Sequence, residues 1–204
     1  MHLNVLTDNQ RELLSLVRRF KRTFYLAGGT AIALHIGHRR SIDFDLFTRS
    51  ALSKSRIRAV MREYPYQQRL IHEDVDQLHV LCRQVKITFL CYPFDIEHPV
   101  MLKPFITMPD LLTLAAMKAF ALGRRAKWKD YVDLYFLMRQ FHSIAEVSNK
   151  ACALFGDQYS EKLFREQLAF HEDIDYTEAV EYLSDPVSDD TVRLGLIEMA
   201  TKIF

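Results

Sequence analysis

The chain is 204 residues long, enough for one large domain or two small ones sharing a cleft. Apolar residues make up 49 % of it, which excludes a disordered chain and supports a packed core. Lys and Arg total 27 against 26 Asp and Glu, so overall charge gives no argument for nucleic-acid binding and any basic patch is local.

In chain order, Asn9 to Lys21 is expected to form a helix capped by Asp8 or Asn9. Leu13, Leu14, Val17 and Phe20 form its apolar stripe, and Arg11, Arg18, Arg19, Lys21 and Arg22 ride outside it. A strand is expected at Thr23 to Leu26. Gly28-Gly29-Thr30 then turns the chain into a short helix, Ala31 to Ile36. A glycine-rich turn opening a helix presents unpaired N–H groups that suit a phosphate. A basic turn follows, Gly37 to Ser41, carrying His38, Arg39 and Arg40. Ile42 to Leu46 alternates strictly, which puts Asp43 and Asp45 on one strand face and Ile42, Phe44 and Leu46 on the other.

A helix is expected over Ser53 to Met61, stopped by Tyr64-Pro65-Tyr66. Strand-like runs follow at Gln68 to Glu73, Leu78 to Cys82 and Val85 to Tyr92. Asp74 to Gln77 and Arg83-Gln84 are the hairpin turns. Pro93, Pro99, Pro104 and Pro109 mark the domain boundary, with a sheet domain over 1–105 and a helical domain over 106–204. Pro109-Asp110 starts a helix through Lys118 and Ala119. Gly123, Arg124 and Arg125 break it, and Lys129 and Asp130 open the next. The remainder reads as packed amphipathic helix. Its stripes are Val147, Ala151, Leu154 and Phe155, then Leu163, Phe164, Leu168 and Phe170, then Val192, Leu196, Met199 and Ile203.

The three cysteines lack metal or redox spacing and fit a reducing cytosol. Met1 to Gln10 is polar, so no secretory signal is expected, and no apolar run is long enough to span a bilayer. A cytoplasmic protein without membrane contact is expected. His35 and His38 read as packing and turn residues rather than metal ligands, and no serine or cysteine nucleophile motif occurs.

Paired carboxylates repel unless one stays protonated or a cation lies between them. Asp43 and Asp45 are therefore candidate ligands for Mg²⁺ or Mn²⁺, whose open positions would accept phosphate oxygens. An anion cradle and a metal clamp about a dozen residues apart are equipment for phosphoryl or nucleotidyl transfer. Lys118 sits on an apolar helical run, where it needs an anionic partner: a bound triphosphate, or a carboxylate such as Asp110 or Asp133. Asp130 and Asp133 share a helix face, and Lys129 can pair with Asp133.

Gly28-Gly29-Thr30 followed by Asp43-Phe44-Asp45 resembles the AbiEii/AbiGii toxin-type nucleotidyltransferases of the DNA polymerase beta-like superfamily. The later pattern of Lys118, the Arg124-Arg125 turn and Lys129-Asp130-x-x-Asp133-Leu134 resembles that family too, and the resemblance covers roughly residues 20 to 140. It implies an α/β (α+β) protein: a nucleotidyltransferase-fold mixed sheet with flanking helices, then a C-terminal helical bundle, with the site between the two parts. It implies transfer of a nucleoside monophosphate from an NTP to an acceptor hydroxyl, such as one of RNA, tRNA or protein, in a toxin–antitoxin or phage-defence system. A cognate antitoxin is then an expected partner.

In this reading Asp43 and Asp45 hold metal, and Gly28, Gly29, Thr30, Arg40, Ser41, Arg125 and Lys129 bind nucleotide or phosphate. Lys118 neutralises the triphosphate, with Asp130 and Asp133 orienting it. The superfamily's third carboxylate, which takes the acceptor's proton, falls where this chain has Thr88, whose hydroxyl is no base near neutral pH. Asp95 or Glu97 would be the substitutes. The alternative is a catalytically degenerate module that binds nucleotide or protein on the same fold.

Overall fold

The computed structural model describes residues 1–183 and 185–202 and divides into two compact units, Met1–Asp110 and Leu111–Phe204. Ile203, expected in the last apolar stripe, lies outside the described residues.

The first unit is a five-stranded mixed sheet with helices. Its elements are α1 (Asp8–Arg19), β1 (Tyr25–Ala27), α2 (Gly28–Ile36), β2 (Phe44–Thr48), α3 (Lys54–Arg62), β3 (Gln68–Asp74), β4 (Gln77–Cys82) and β5 (Val85–Cys91). The strand order is β1-β2-β5-β4-β3. Only the β2–β5 pair is parallel, with Asp45 opposite Thr88; the other neighbours run antiparallel.

Alternation sorts the two faces of this sheet. Phe44, Leu46, Leu78, Val80, Cys82, Val85, Ile87 and Phe89 are buried. Phe20 and Phe24, at and beyond the end of α1, meet Phe89 edge-on with ring centroids 4.8 and 5.4 Å away. That aromatic cluster holds the core face in register, since a one-residue slip would expose every apolar side chain of a strand. The polar residues are thereby turned to the opposite face.

Several expectations change at element ends. The cap of α1 is Thr7, upstream of the expected Asp8 or Asn9, in a reciprocal capping box with Gln10. Strand β2 begins at Phe44, so Asp43 lies just outside the ladder, and Ile42 is exposed rather than in the core. Alternation in burial nevertheless runs from Asp43 through Phe47, so Asp43 and Asp45 stay on the same side. The proline-rich segment, read as linker, contains a small antiparallel ribbon, β6 (Val100–Leu102) with β7 (Ile106–Met108). Two three-residue strands leave too short an alternation to read from sequence.

The second unit is helical among its described residues: α4 (Leu111–Leu122), α5 (Trp128–Gln140), α6 (Ile144–Phe155), α7 (Glu161–Ala169) and α8 (Asp189–Thr201). Ser143 and Glu146 make a capping box on α6, and Ser160 and Ser188 cap α7 and α8. In α7 only Phe164 and Leu168 of the expected stripe are buried, while Leu163 and Phe170 are exposed. Among the described residues, no helix is long and apolar enough to cross a membrane.

Candidate active site

Gly28 is in the left-handed region, with φ 70°. A Cβ placed on it would lie 2.1 Å from Asp45 Oδ2, so the carboxylate of β2 rests against the bare backbone where α2 begins. One on Gly29 would lie 2.8 Å from Arg39 Nη2 and 3.2 Å from Ser41 Oγ. The two glycines therefore admit a carboxylate and a guanidinium to one helix start. No side chain caps that start; the Ala27 position makes no capping bond. The partial positive charge of a helix N-terminus favours the Asp45 carboxylate there.

The segment leading to Asp43 is fixed from both sides. Gln10, fully buried, donates through Nε2 to the Ser41 carbonyl at 2.9 Å. Thr30 Oγ1 bonds the Asp43 carbonyl and lies 3.0 Å from Ser41 Oγ. The Thr30 hydroxyl, expected to face phosphate, is thus buried and holds the backbone of the carboxylate pair instead. Of the two arginines in the basic turn, Arg39 is the one pressed against Gly29, and it is buried. Arg40, the expected phosphate contact, directs Nη1 to the Val5 carbonyl at 3.5 Å. On a turn the order of residues does not say which side chain points inward, so the sequence carried no signal for this choice.

Lys86 was not among the expected site residues. Its ammonium lies 2.8 Å from Asp43 Oδ2, with both side chains about a third exposed. The signal was available: Lys86 and Thr88 alternate with the buried residues of β5, so they share a face with the carboxylates of the neighbouring strand. Across the sheet the ladder places Asp45 opposite Thr88, Thr88 opposite His79 and His79 opposite His72. Asp95 lies elsewhere, in an exposed pair with Arg49 at 3.3 Å.

In the helical unit Lys118 is 6 % exposed and has two carboxylate partners, Asp130 Oδ1 at 2.6 Å and Asp133 Oδ2 at 3.1 Å. Arg125 Nε reaches Asp130 Oδ2 at 2.8 Å. Burial alone would raise the Asp130 carboxyl, but Lys118 and Arg125 outweigh it and hold the group below its ordinary value. Lys127 and Lys129 both pair with Glu178, Lys129 at 3.3 Å, and Arg124 stacks on Phe120. Lys129 pairs with Glu178 instead of making the expected helical pair with Asp133, whose Oδ2 meets Lys118. The basic turn expected to clamp phosphate is to this extent tied to carboxylates of its own unit.

Among the described residues no group of three or more His, Cys, Asp and Glu gathers around a metal position. Asp43 and Asp45 supply hard oxygens at and just before β2, the absent Cβ of Gly28 makes room for the Asp45 carboxylate, and the Lys86 ammonium balances Asp43. Carboxylate oxygens of this kind are the donor type that a hard divalent cation takes.

The chain matches the profile of the nucleotidyl transferase AbiEii toxin family (type IV toxin–antitoxin system) over residues 14–77 and 64–195. It is 34 % identical over 125 residues to an uncharacterized protein of Aquifex aeolicus strain VF5; the match covers 57 % of this chain and 58 % of that relative's length. Two solved structures share the fold. The nucleotidyltransferase toxin MenT4 of Mycobacterium tuberculosis H37Rv matches with TM-score 0.61 and 14 % identity, over 94 % of this chain and 81 % of that one. JHP933 of Helicobacter pylori matches with TM-score 0.57 and 14 % identity, over 96 % and 91 %.

Proposed function

Because this chain belongs to the AbiEii nucleotidyltransferase toxin family, we propose that it transfers a nucleoside monophosphate from an NTP to an acceptor hydroxyl and releases pyrophosphate. The observation that carries this reading is the placement of Asp43 and Asp45 on one side of β2, with Asp45 seated on the glycine backbone that opens α2. Asp43 and Asp45 would hold Mg²⁺ or Mn²⁺, which when bound neutralises charge on the phosphates and on the leaving pyrophosphate. Backbone N–H groups at Gly28 and Gly29 are the candidate phosphate donors, with Arg39 behind them.

Gln10 and Thr30 fix the carboxylate segment in advance, so little reorganisation remains at the moment of reaction. Arg125 and Lys129 pair with Asp130 and Glu178 within the helical unit. Lys118 acts in this proposal through Asp130, the carboxylate that it shares with Arg125. The proposed setting is the cytoplasm, the proposed acceptor an RNA such as tRNA, and the proposed regulator a cognate antitoxin.

The test is incubation of the full chain with Mg²⁺, total RNA and each α-labelled NTP in turn, alongside calorimetry of NTP binding. Label should reach RNA or the protein itself, and Asp45→Asn should abolish transfer and weaken Mg²⁺–NTP binding by more than about tenfold. Equal binding by wild type and variant would remove the pair from the site. A second reading, a fold that binds nucleotide without turnover, is favoured by Thr88 at the third carboxylate position. It predicts binding with no label transferred to any acceptor.

A further inference from the structure

Accepting that transfer reaction, an acceptor hydroxyl needs a group to take its proton, and the sheet row running out from Asp45 contains one. Residues opposite each other in a ladder project from the same face. Asp45, Thr88, His79 and His72 therefore stand side by side on the polar face, one per strand, from β2 across β5 and β4 to β3. Thr88 has no basic group at neutral pH and is buried. The next side chain in the row is an imidazole, half-buried on a strand whose alternate residues, Leu78 and Val80, lock its register in the core. We propose that His79 is the catalytic base of this chain, taking the role that a carboxylate at the Thr88 position would otherwise fill.

Neighbouring strands lie about 4.8 Å apart, which sets the His79 backbone roughly 5 Å beyond that of Thr88 and roughly 10 Å from that of Asp45. The other basic candidates on this face serve less well. Lys86 is an ammonium that neutralises Asp43, and His72 is one strand further out on the exposed edge. Asp95, in its pair with Arg49, lies outside the row.

The protonation state of His79 agrees with this role. Its Nε2 lies 3.1 Å from Gln77 Oε1, and a neutral ring that donates to that oxygen keeps its lone pair on Nδ1. Charged and titratable groups face it from β3 (His72), from β5 (Lys86) and from the segment before β2 (Asp43). Burial, then His72 and Lys86, disfavour the imidazolium more than Asp43 favours it, so the ring is held neutral below its ordinary pKa. In the transfer step the acceptor O–H proton passes to Nδ1. The oxygen lone pair forms the bond to the α-phosphorus, and the bond from that phosphorus to the bridging oxygen breaks. Pyrophosphate leaves with that electron pair, and the imidazolium later gives its proton to water.

The experiment compares wild type, His79→Gln and the double variant His79→Gln/Thr88→Asp. Each is incubated with Mg²⁺, the four α-labelled NTPs and total RNA, with NTP binding followed by calorimetry and folding by thermal unfolding. His79→Gln should lower transfer by about 10²–10⁴-fold while leaving NTP binding within about twofold of wild type. Adding Thr88→Asp should recover about tenfold or more, which a merely structural histidine would not allow. His79→Asn replaces the glutamine should the latter unfold. Transfer by His79→Gln within about threefold of wild type overturns the base and leaves the proposed function standing. Parallel loss of NTP binding, or no recovery in the double variant, also overturns it. Absence of label with wild type and every NTP overturns the proposed function and the base together.

Discussion

At Gly28 a left-handed φ and the contact with Asp45 Oδ2 coincide, so no other residue serves there. Gly28→Ala should cost about 1–2 kcal/mol for the backbone conformation alone, and the new Cβ must also displace the Asp45 carboxylate. The expected outcome is a lowered denaturant midpoint together with loss of Mg²⁺–NTP binding. Lowered stability with unchanged binding would separate the turn from the site. Gly29 faces the second approach, from Arg39 and Ser41, and that pairing explains why two glycines stand in sequence here.

Among the elements, the α4–α5 pair is held by an ion cluster rather than by apolar contact alone. Lys118 is buried between Asp130 and Asp133, and Arg125 completes the charge balance at Asp130. Removing one partner of a buried pair strands the others. Lys118→Met should therefore destabilise the chain by about 3–5 kcal/mol in denaturant unfolding, and adding Asp130→Asn and Asp133→Asn should restore much of that loss. If Lys118→Met unfolds like wild type but binds NTP poorly, the lysine is a phosphate ligand first and a structural cation second. The hairpin β4–β5 shows a different dependence on local chemistry. Arg83 and Gln84 both have positive φ, at 49° and 64°, so the two-residue turn sets the register that aligns His79 with Thr88.

For the molecule as a whole, the proposed toxin activity has a cellular consequence. Induced expression in a bacterial host should slow growth, and Asp45→Asn at equal protein level should relieve it. Equal slowing by the variant would show that growth inhibition does not run through the carboxylate pair. That expectation rests on a family whose profile spans both units, residues 14–77 and 64–195.

What the sequence determined by itself was local and periodic. Alternation over Phe44 to Thr48, Gln77 to Cys82 and Val85 to Cys91 separates a core face from a polar face, because strand side chains alternate with period two. The Gly28-Gly29 turn and the Asp43/Asp45 pair were visible as residue types at a fixed spacing. The His79–Thr88 pair was also within reach, since a two-residue turn at Arg83-Gln84 aligns the two by counting alone, whereas placing Asp45 in the same row needs the parallel pairing of β2 with β5.

Only the tertiary structure decided which side chains use that frame. It chose Arg39 over Arg40 at Gly29, turned the Thr30 hydroxyl inward to the Asp43 carbonyl, set Lys86 on Asp43 and gave Lys118 two carboxylates. Each of these choices joins residues at least 10 positions apart. Their partners are set by which polar groups must find a mate when buried, a demand of packing in three dimensions that no spacing along the chain records.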